Sequence, residues 1–176
     1  DPVGLLLSHR ADWAIVSELE ANDEVIFKPL FSYEMVGICS KDHQLAAKEV
    51  WEAEDFANET WVTYPVPDDM LDLLRQVLKP KGINPTRRTT ELTIAMIQLV
   101  ASRRGIATVP YWAALPYLEK GYVVARKITQ NGLQSNLYAA IRKEDENLAY
   151  LEDFYQTVKA QSFSTLPGLS VLDLEK

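Results

Sequence analysis

The chain has 176 residues, of which 47% are hydrophobic and 24% charged, and its formal net charge at pH 7 is −7. This composition is typical of a globular domain and excludes a disordered or fibrous chain, while the negative charge argues against a surface that by itself grips DNA. One cysteine and two histidines exclude a disulfide framework and leave little for a multi-cysteine or histidine-based metal centre.

The start of the chain predicts a short helix followed by three strands. Residues 12–16 form an apolar run bounded by polar residues, which is typical of a buried strand. Residues 25–31 and 34–39 are rich in aromatic and β-branched side chains, and residues 32–33 are predicted to form a bend between them. An acidic start favours a short helix over 51–56.

The middle of the chain alternates strands and helices. A strand over 61–64 ends at Pro65, and Asp68 is expected to cap a helix that ends at Pro80 and Gly82. The next predicted elements are a strand over 86–90, a helix from 93 with Gly105 as its left-handed end residue, a strand over 106–109 and a helix from Pro110 to near Gly121.

Two strands and one helix are predicted for the last third of the chain. The strands cover 122–128 and 135–142, and a turn signal at 130–132 separates them. Asp145 is expected to cap a final helix with apolar residues spaced by three and four. The Ser-, Pro- and Gly-containing tail after Ser162 is expected to be loose.

This order of elements predicts an α/β fold with largely parallel strand pairing. The block 64–128 has its own strand-helix alternation, so we predict that it forms a second lobe. Residues 1–63 and 129–165 would together form the first lobe, and residues 166–176 a loose C-terminal tail. Strands near residues 64 and 128 would then cross between the lobes beside a cleft.

Catalytic motifs are missing from the sequence: it has no Gly-rich phosphate loop, no G-x-S-x-G and no G-x-G-x-x-G. Ser8 and His9 are adjacent but have no evident partner carboxylate, and Cys39 at a strand end is typical of a small buried hydrophobe. Acids at 68, 69 and 72 could bind a metal, but capping and a solvated helix face explain them better. We therefore predict no catalytic residue, no metal site and no cofactor.

Location is predicted from what the sequence lacks. No apolar run approaches the ~18–20 residues that a membrane helix needs, and no signal peptide is visible, so a reducing cytoplasm suits this one-cysteine chain. The chain begins with Asp1-Pro2 rather than Met, which leads us to expect a processed product or a piece of a longer protein.

The stretch from Glu91 to Pro110, which reads ELTIAMIQLVASRRGIATVP, is the most informative in the chain. It resembles the helix–Gly–strand–Pro segment in the second lobe of LysR-type transcriptional regulators. The likeness covers residues 3 to about 160. Other segments that carry it are 11–16, 30–31, 41–46, 61–66 and 137–142.

The resemblance implies two Rossmann-like lobes joined by two crossover strands, as in type 2 periplasmic binding proteins. It also implies that several family elements are absent here: the N-terminal winged helix-turn-helix that binds DNA, the linker helix, and the opening strand and helix of the first lobe. The family has Pro after the first-lobe His, whereas this chain has Gln44. A homodimer or homotetramer is expected for the full protein, because the family dimerises through this domain.

The function implied by the resemblance is effector sensing, in which a small molecule in the cleft changes how the DNA-binding heads are presented. The likeness within the family is to regulators of methionine biosynthesis, which implies homocysteine or a related sulfur amino acid. The alternative is a two-lobed solute-binding receptor of a transport system. An enzyme using the acids at 68–72 and a purely oligomerising module were also considered.

Six residues are predicted to contact the effector: Thr93, Tyr64, Ser17, Glu91, Thr108 and Pro65. Thr93 begins a helix, so its hydroxyl and the free N–H groups of the first turn could hold a carboxylate. Tyr64 would offer its hydroxyl beside Pro65. The other roles that remain open are helix capping for Thr93 and a core position with an internally bonded hydroxyl for Tyr64.

The remaining predicted contacts come from strand ends and from acids. Ser17 and Thr108 follow or end buried strands, where open α/β sheets bind ligands, although both are often ordinary strand-end residues. An amino-acid effector needs an acid for its ammonium group, and Glu91 or Glu18 is expected to provide it, although such acids are usually solvated.

Overall fold

A computed structural model describes residues 1–172 of the chain. Its helices are α1 (Pro2–Leu7), α2 (Thr93–Ala101), α3 (Tyr111–Glu119) and α4 (Ala149–Thr165). Its strands are β1 (Ala14–Val16), β2 (Val25–Cys39), β3 (Val50–Trp51), β4 (Thr60–Thr63), β5 (Thr86–Thr89), β6 (Ile106–Pro110), β7 (Val124–Ile128), β8 (Leu133–Arg142) and β9 (Leu169–Ser170). The predicted α/β class is confirmed.

Two compact units divide the chain. The terminal unit comprises residues 1–33 and the chain from residue 135 onward, and the central unit comprises residues 34–134. The predicted lobes have their boundaries elsewhere, after residues 63 and 128. The difference arises because both unit boundaries fall inside long strands, β2 and β8, rather than in the segments around Tyr64 and Ile128.

The terminal unit is built on antiparallel pairing. β1 pairs with β8, with Ala14 opposite Ala140, and the middle of β2 pairs with β9 through Ser32 and Tyr33. Its core joins α1 to these strands through six buried side chains: Val3, Leu6, Val16, Val25, Tyr138 and Ala140. The loose tail predicted from residue 166 is therefore wrong for Leu169–Ser170, which form β9, while residues 173–176 of that prediction lie outside the described residues.

The central unit contains the parallel strands. β4 runs parallel to β5 and β6, and β3 runs parallel to β7. The second half of β2 lies between β6 and β7 and is antiparallel to both. The carboxyl ends of β4, β5, β6 and β7 therefore lie at one edge of this sheet. The prediction of largely parallel pairing is wrong for the chain as a whole, because β2 and β8 make antiparallel pairs that short-range patterns do not reveal.

Two hydrophobic clusters pack within the central unit. One surrounds Trp51 and Trp61 and includes the buried leucines of the 73–78 helical turn. The other contains Met96, Ile97 and Val100 of α2, whose spacing of three and four buries one face of the helix, as the sequence predicts.

Residues 68–78 differ from the single α-helix that the sequence predicts. A 3-10 turn covers Asp68–Met70, with Pro67 before it, and a π-helix covers Leu73–Leu78. The predicted capping role of Asp68 is wrong, because its carboxylate accepts a hydrogen bond from Arg87 at 2.6 Å instead. The left-handed residue Gly82 (φ 67°) does end this helical region.

Three other local predictions are wrong. No bend interrupts β2 within the described chain, because Ser32 and Tyr33 pair with Ser170 and Leu169 of β9 as strand residues. Asp145 does not cap α4, since Leu148 is the N-cap and the Asp145 carboxylate accepts from Arg142 at 2.6 Å. The left-handed residue that ends α2 is Arg103 (φ 61°), not the predicted Gly105.

Within residues 1–172, no helix combines the length and apolar character needed to cross a bilayer.

Candidate functional site

The candidate site lies at the carboxyl edge of the central sheet. Thr63 and Thr89 stand opposite each other at the ends of β4 and β5, and the Thr90 N–H donates to the Thr63 carbonyl at 3.0 Å. Tyr64 follows β4 directly, and Thr93 begins α2 shortly after β5. Parallel α/β sheets bind ligands at this edge, so the topology brings two predicted residues, 29 positions apart in sequence, to a suitable place.

A hydrogen bond of 2.6 Å joins the Tyr64 hydroxyl to the Thr93 hydroxyl, and both side chains are half-buried. Leu92 is the N-cap of α2, and in the described part of the chain no side chain caps this helix. The first-turn N–H groups and the positive end of the helix dipole therefore favour an anion beside the two hydroxyls. This arrangement can accept a carboxylate.

The structure also decides the alternative roles of these two residues. Thr93 is the first helical residue rather than the N-cap, so its side chain does not cap α2. The Tyr64 hydroxyl is bonded internally, to Thr93. Each hydroxyl keeps a further hydrogen-bonding position, because a hydroxyl combines one donor with two acceptor lone pairs.

The other predicted contacts in the central unit differ in accessibility. Pro65 and Glu91 are exposed in bends, one after Tyr64 and one before α2. Thr108 is 6% exposed within β6, and its hydroxyl oxygen accepts a hydrogen bond from Trp61 Nε1 at 3.3 Å. Thr108 is thus engaged in the core, whereas Pro65 and Glu91 flank the hydroxyl pair in sequence.

Ser17 and Glu18 belong to the terminal unit. They lie in the bend that directly follows β1, and both are half-buried. Their position after a strand agrees with the sequence prediction.

Sequence reasoning missed a second group of polar residues at the carboxyl edge of the central sheet. A cavity of about 280 Å³ is lined there by Glu34, Val36, Tyr111, Ala125, Arg126 and Lys127. This group was missed because a bend was predicted at residues 32–33, which made Glu34 the first residue of a separate strand. The signal was a charged residue inside one long, mostly buried strand.

A larger cavity, of about 380 Å³, lies in the terminal unit, and it is lined by Leu7, His9, Asp23, Glu24, Arg142, Lys143 and Glu144. Arg142 is the buried member of this set, and its guanidinium donates to the Leu6 and Ala11 carbonyls at 3.0 and 2.6 Å. It also donates to the carboxylates of Asp12 and Asp145. These bonds commit Arg142 to holding the chain together rather than to binding a ligand.

The acids at 68 and 72 are committed to ion pairs. Arg87 donates to Asp68, and this hydrogen bond lowers the pKa of that carboxyl. The Asp72 carboxylate accepts from Arg75 at 2.5 Å and from Gln76 at 2.9 Å. Among residues 1–172, no group of three or more His, Cys, Asp or Glu side chains could hold a metal ion.

Cys39 is fully buried, and burial raises the pKa of its thiol to about 11, against a smaller opposing effect of Arg126. Since the thiolate is the reactive form, we expect Cys39 of the native protein to react at least ~100-fold more slowly with a thiol reagent near pH 7 than it does in denaturant. The reaction with an aromatic disulfide, followed by absorbance with and without urea, measures this ratio. Equal rates in the two conditions would contradict the buried placement.

Known proteins resemble this chain along nearly its whole length. The sequence profile of the LysR substrate binding domain matches residues 1–162. The chain is 87% identical over 174 residues to the HTH-type transcriptional regulator MetR of Haemophilus influenzae, and it is 34% identical over 167 residues to MetR of Escherichia coli K12. These alignments cover 99% and 95% of this chain but 56% and 52% of the two regulators. The chain therefore spans about half the length of these relatives.

A solved structure agrees with the sequence matches. The regulatory domain of MetR, a LysR family regulator from N. meningitidis, superposes with a TM-score of 0.92 and 66% sequence identity. The match covers 98% of this chain and 80% of that one. The resemblance to LysR-type regulators and the two-lobed fold class of their regulatory domains are thereby confirmed.

Proposed function

This chain belongs to the family of LysR substrate-binding domains, and we propose that it senses homocysteine or a related sulfur amino acid for a regulator of methionine biosynthesis. The names of the relatives support the link to methionine. The sequence likeness to regulators of this class supports a sulfur amino acid as the effector. The alternative of a transport receptor gains no support, because the matched relatives are transcriptional regulators.

The observation that carries the proposal is the hydroxyl pair of Tyr64 and Thr93 at the start of α2. Every α-amino acid has a carboxylate, and this group would bond to the first-turn N–H groups of α2 and to the two hydroxyls. The half-buried setting strengthens such bonds relative to those in water.

In the whole protein, the bound effector would shift the balance between two arrangements of a homodimer or homotetramer. DNA would be contacted by an N-terminal winged helix-turn-helix, in keeping with the names of the relatives. The negative charge of this chain is consistent with leaving DNA contact to another part of the protein. We place this regulator in the cytoplasm, where its target genes are transcribed.

Calorimetric titration of this chain with homocysteine tests the proposal, with methionine and cysteine as comparison ligands. Saturable heat with homocysteine, and weaker or no heat with the other two, is the expected result. Binding of methionine or cysteine in preference to homocysteine would change the assigned effector. Silence with all three would reject the assignment to sulfur amino acids.

The variant Thr93→Ala is expected to weaken homocysteine binding by ~1–3 kcal/mol, because a hydrogen bond to a charged carboxylate is lost. Thr93→Ser keeps the hydroxyl and is the matched control, expected to bind within a few-fold of the parent chain. The same titration measures both variants, and circular dichroism verifies that they fold. Unchanged affinity in a folded Thr93→Ala chain would remove Thr93 from the site.

A further inference from the structure

We propose that Glu34 binds the α-ammonium group of the effector, in the cavity that it lines with Tyr111 and Lys127. This inference rests on the proposed function, since it names the second anchor of an α-amino acid whose carboxylate lies at α2. It replaces the expectation that Glu91 or Glu18 provides the acid, because Glu91 is exposed, whereas Glu34 is half-buried in a cavity of the same unit as the hydroxyl pair.

Strand order places Glu34 at the same sheet edge as the hydroxyl pair. β6 pairs with β4 on one side and with β2 on the other. Met35 stands opposite Pro110, so Glu34 lies where β6 ends, at the edge that also carries Tyr64. Two strand spacings of ~4.8 Å separate β4 from β2, about 10 Å in all. Because an α-amino acid carries its ammonium group and its carboxylate on one carbon, the proposal requires the side chains of Tyr64 and Glu34 to reach toward each other across the end of β6.

The cavity is lined by one acidic side chain, Glu34, and by two basic ones, Arg126 and Lys127. Arg126 is committed, because its guanidinium donates to the carbonyls of Ala46 and Ala125. Glu34 and Lys127 both approach Gly132, where an added Cβ would lie 3.1 Å from Glu34 Oε1 and 3.3 Å from Lys127 Cε. Glu34 is thus the acid of this cavity, and its volume of about 280 Å³ suits a molecule the size of an amino acid.

The test compares two ligands that differ in the ammonium group alone, homocysteine and 4-mercaptobutanoate. Glu34→Gln is expected to weaken homocysteine binding by ~10- to 30-fold, because a charge-assisted bond becomes a neutral one. The same variant should bind 4-mercaptobutanoate within about twofold of the parent chain. Glu119→Gln, which alters an exposed acid at the end of α3, is the matched control and should leave both affinities unchanged.

Each outcome separates this inference from the proposed function. A parent chain that does not bind homocysteine overturns the proposed function and the role of Glu34 with it. Binding by the parent chain that Glu34→Gln leaves unchanged overturns the role of Glu34 and leaves homocysteine sensing standing. Equal loss of both ligands in Glu34→Gln also overturns it, since the variant then disturbs the site rather than one bond. Glu34→Asp, which keeps the charge, is expected to retain part of the preference for homocysteine over 4-mercaptobutanoate.

Discussion

Replacing Arg142 by Met is expected to lower the free energy of unfolding by about 3–5 kcal/mol. The Arg142 side chain is 8% exposed, and its guanidinium holds three separate parts of the terminal unit. It donates to the carbonyl of Leu6 in α1, to the Ala11 carbonyl in the following loop, and to Asp145 after β8. Met fills a similar volume but leaves these acceptors without their donor.

Urea denaturation of the two chains measures this loss. Lys143→Met is the control, because Lys143 is the exposed neighbour of Arg142 and a surface substitution of this kind changes stability by ~0.5 kcal/mol or less. Most of the cost is expected to come from the carbonyl groups, because Asp12 is 65% exposed and water can replace its partner. Similar losses of stability in the two variants would show that the hydrogen bonds of Arg142 do not stabilise the terminal unit.

Arg142 also illustrates which features short-range sequence patterns can predict. Its strand is predictable from local composition, as are β4 and β6 from their short apolar runs and the buried face of α2 from its helical spacing. Its partners are not, because Leu6 and Asp12 lie about 130 positions away in the sequence. The same reasoning explains the error at residues 32–33. Ser32 resembles a turn residue until its distant partner Asn136 is known.

The residues of the candidate site also divide into those that local patterns predict and those that depend on long-range pairing. Tyr64 and Thr93 were predictable, because the end of a parallel strand and the start of a helix are visible in local patterns and general topology brings them to one edge. The position of Glu34 at this edge was not predictable, since it depends on β2 running antiparallel between β6 and β7. Strand order and direction are long-range properties, and they decide which polar side chains share an edge.

Gly37→Ala is expected to destabilise the chain by about 3 kcal/mol through overpacking. Gly37 lies in β2, opposite Thr108 on one side and Arg126 on the other. A Cβ at this position would lie 2.5 Å from Trp51 Cζ3 and closer still to Cε3. The indole of Trp51 is fully buried and donates to the Leu45 carbonyl at 3.0 Å, so it cannot move aside without losing that bond.

A double-mutant cycle separates this clash from other effects of alanine. Trp51→Leu alone is expected to cost about 2–4 kcal/mol because it leaves a cavity, but in that background Gly37→Ala should cost less than ~1 kcal/mol. Gly121→Ala is the matched control. Gly121 also has no Cβ, and its φ of 67° brings strain, but no described heavy atom lies within 4 Å of an added Cβ. That variant should lose ~1 kcal/mol with or without Trp51. Additive losses for Gly37→Ala and Trp51→Leu would mean that the cost of the added methyl group does not come from the Trp51 ring, and that the contact between β2 and this ring does not select glycine.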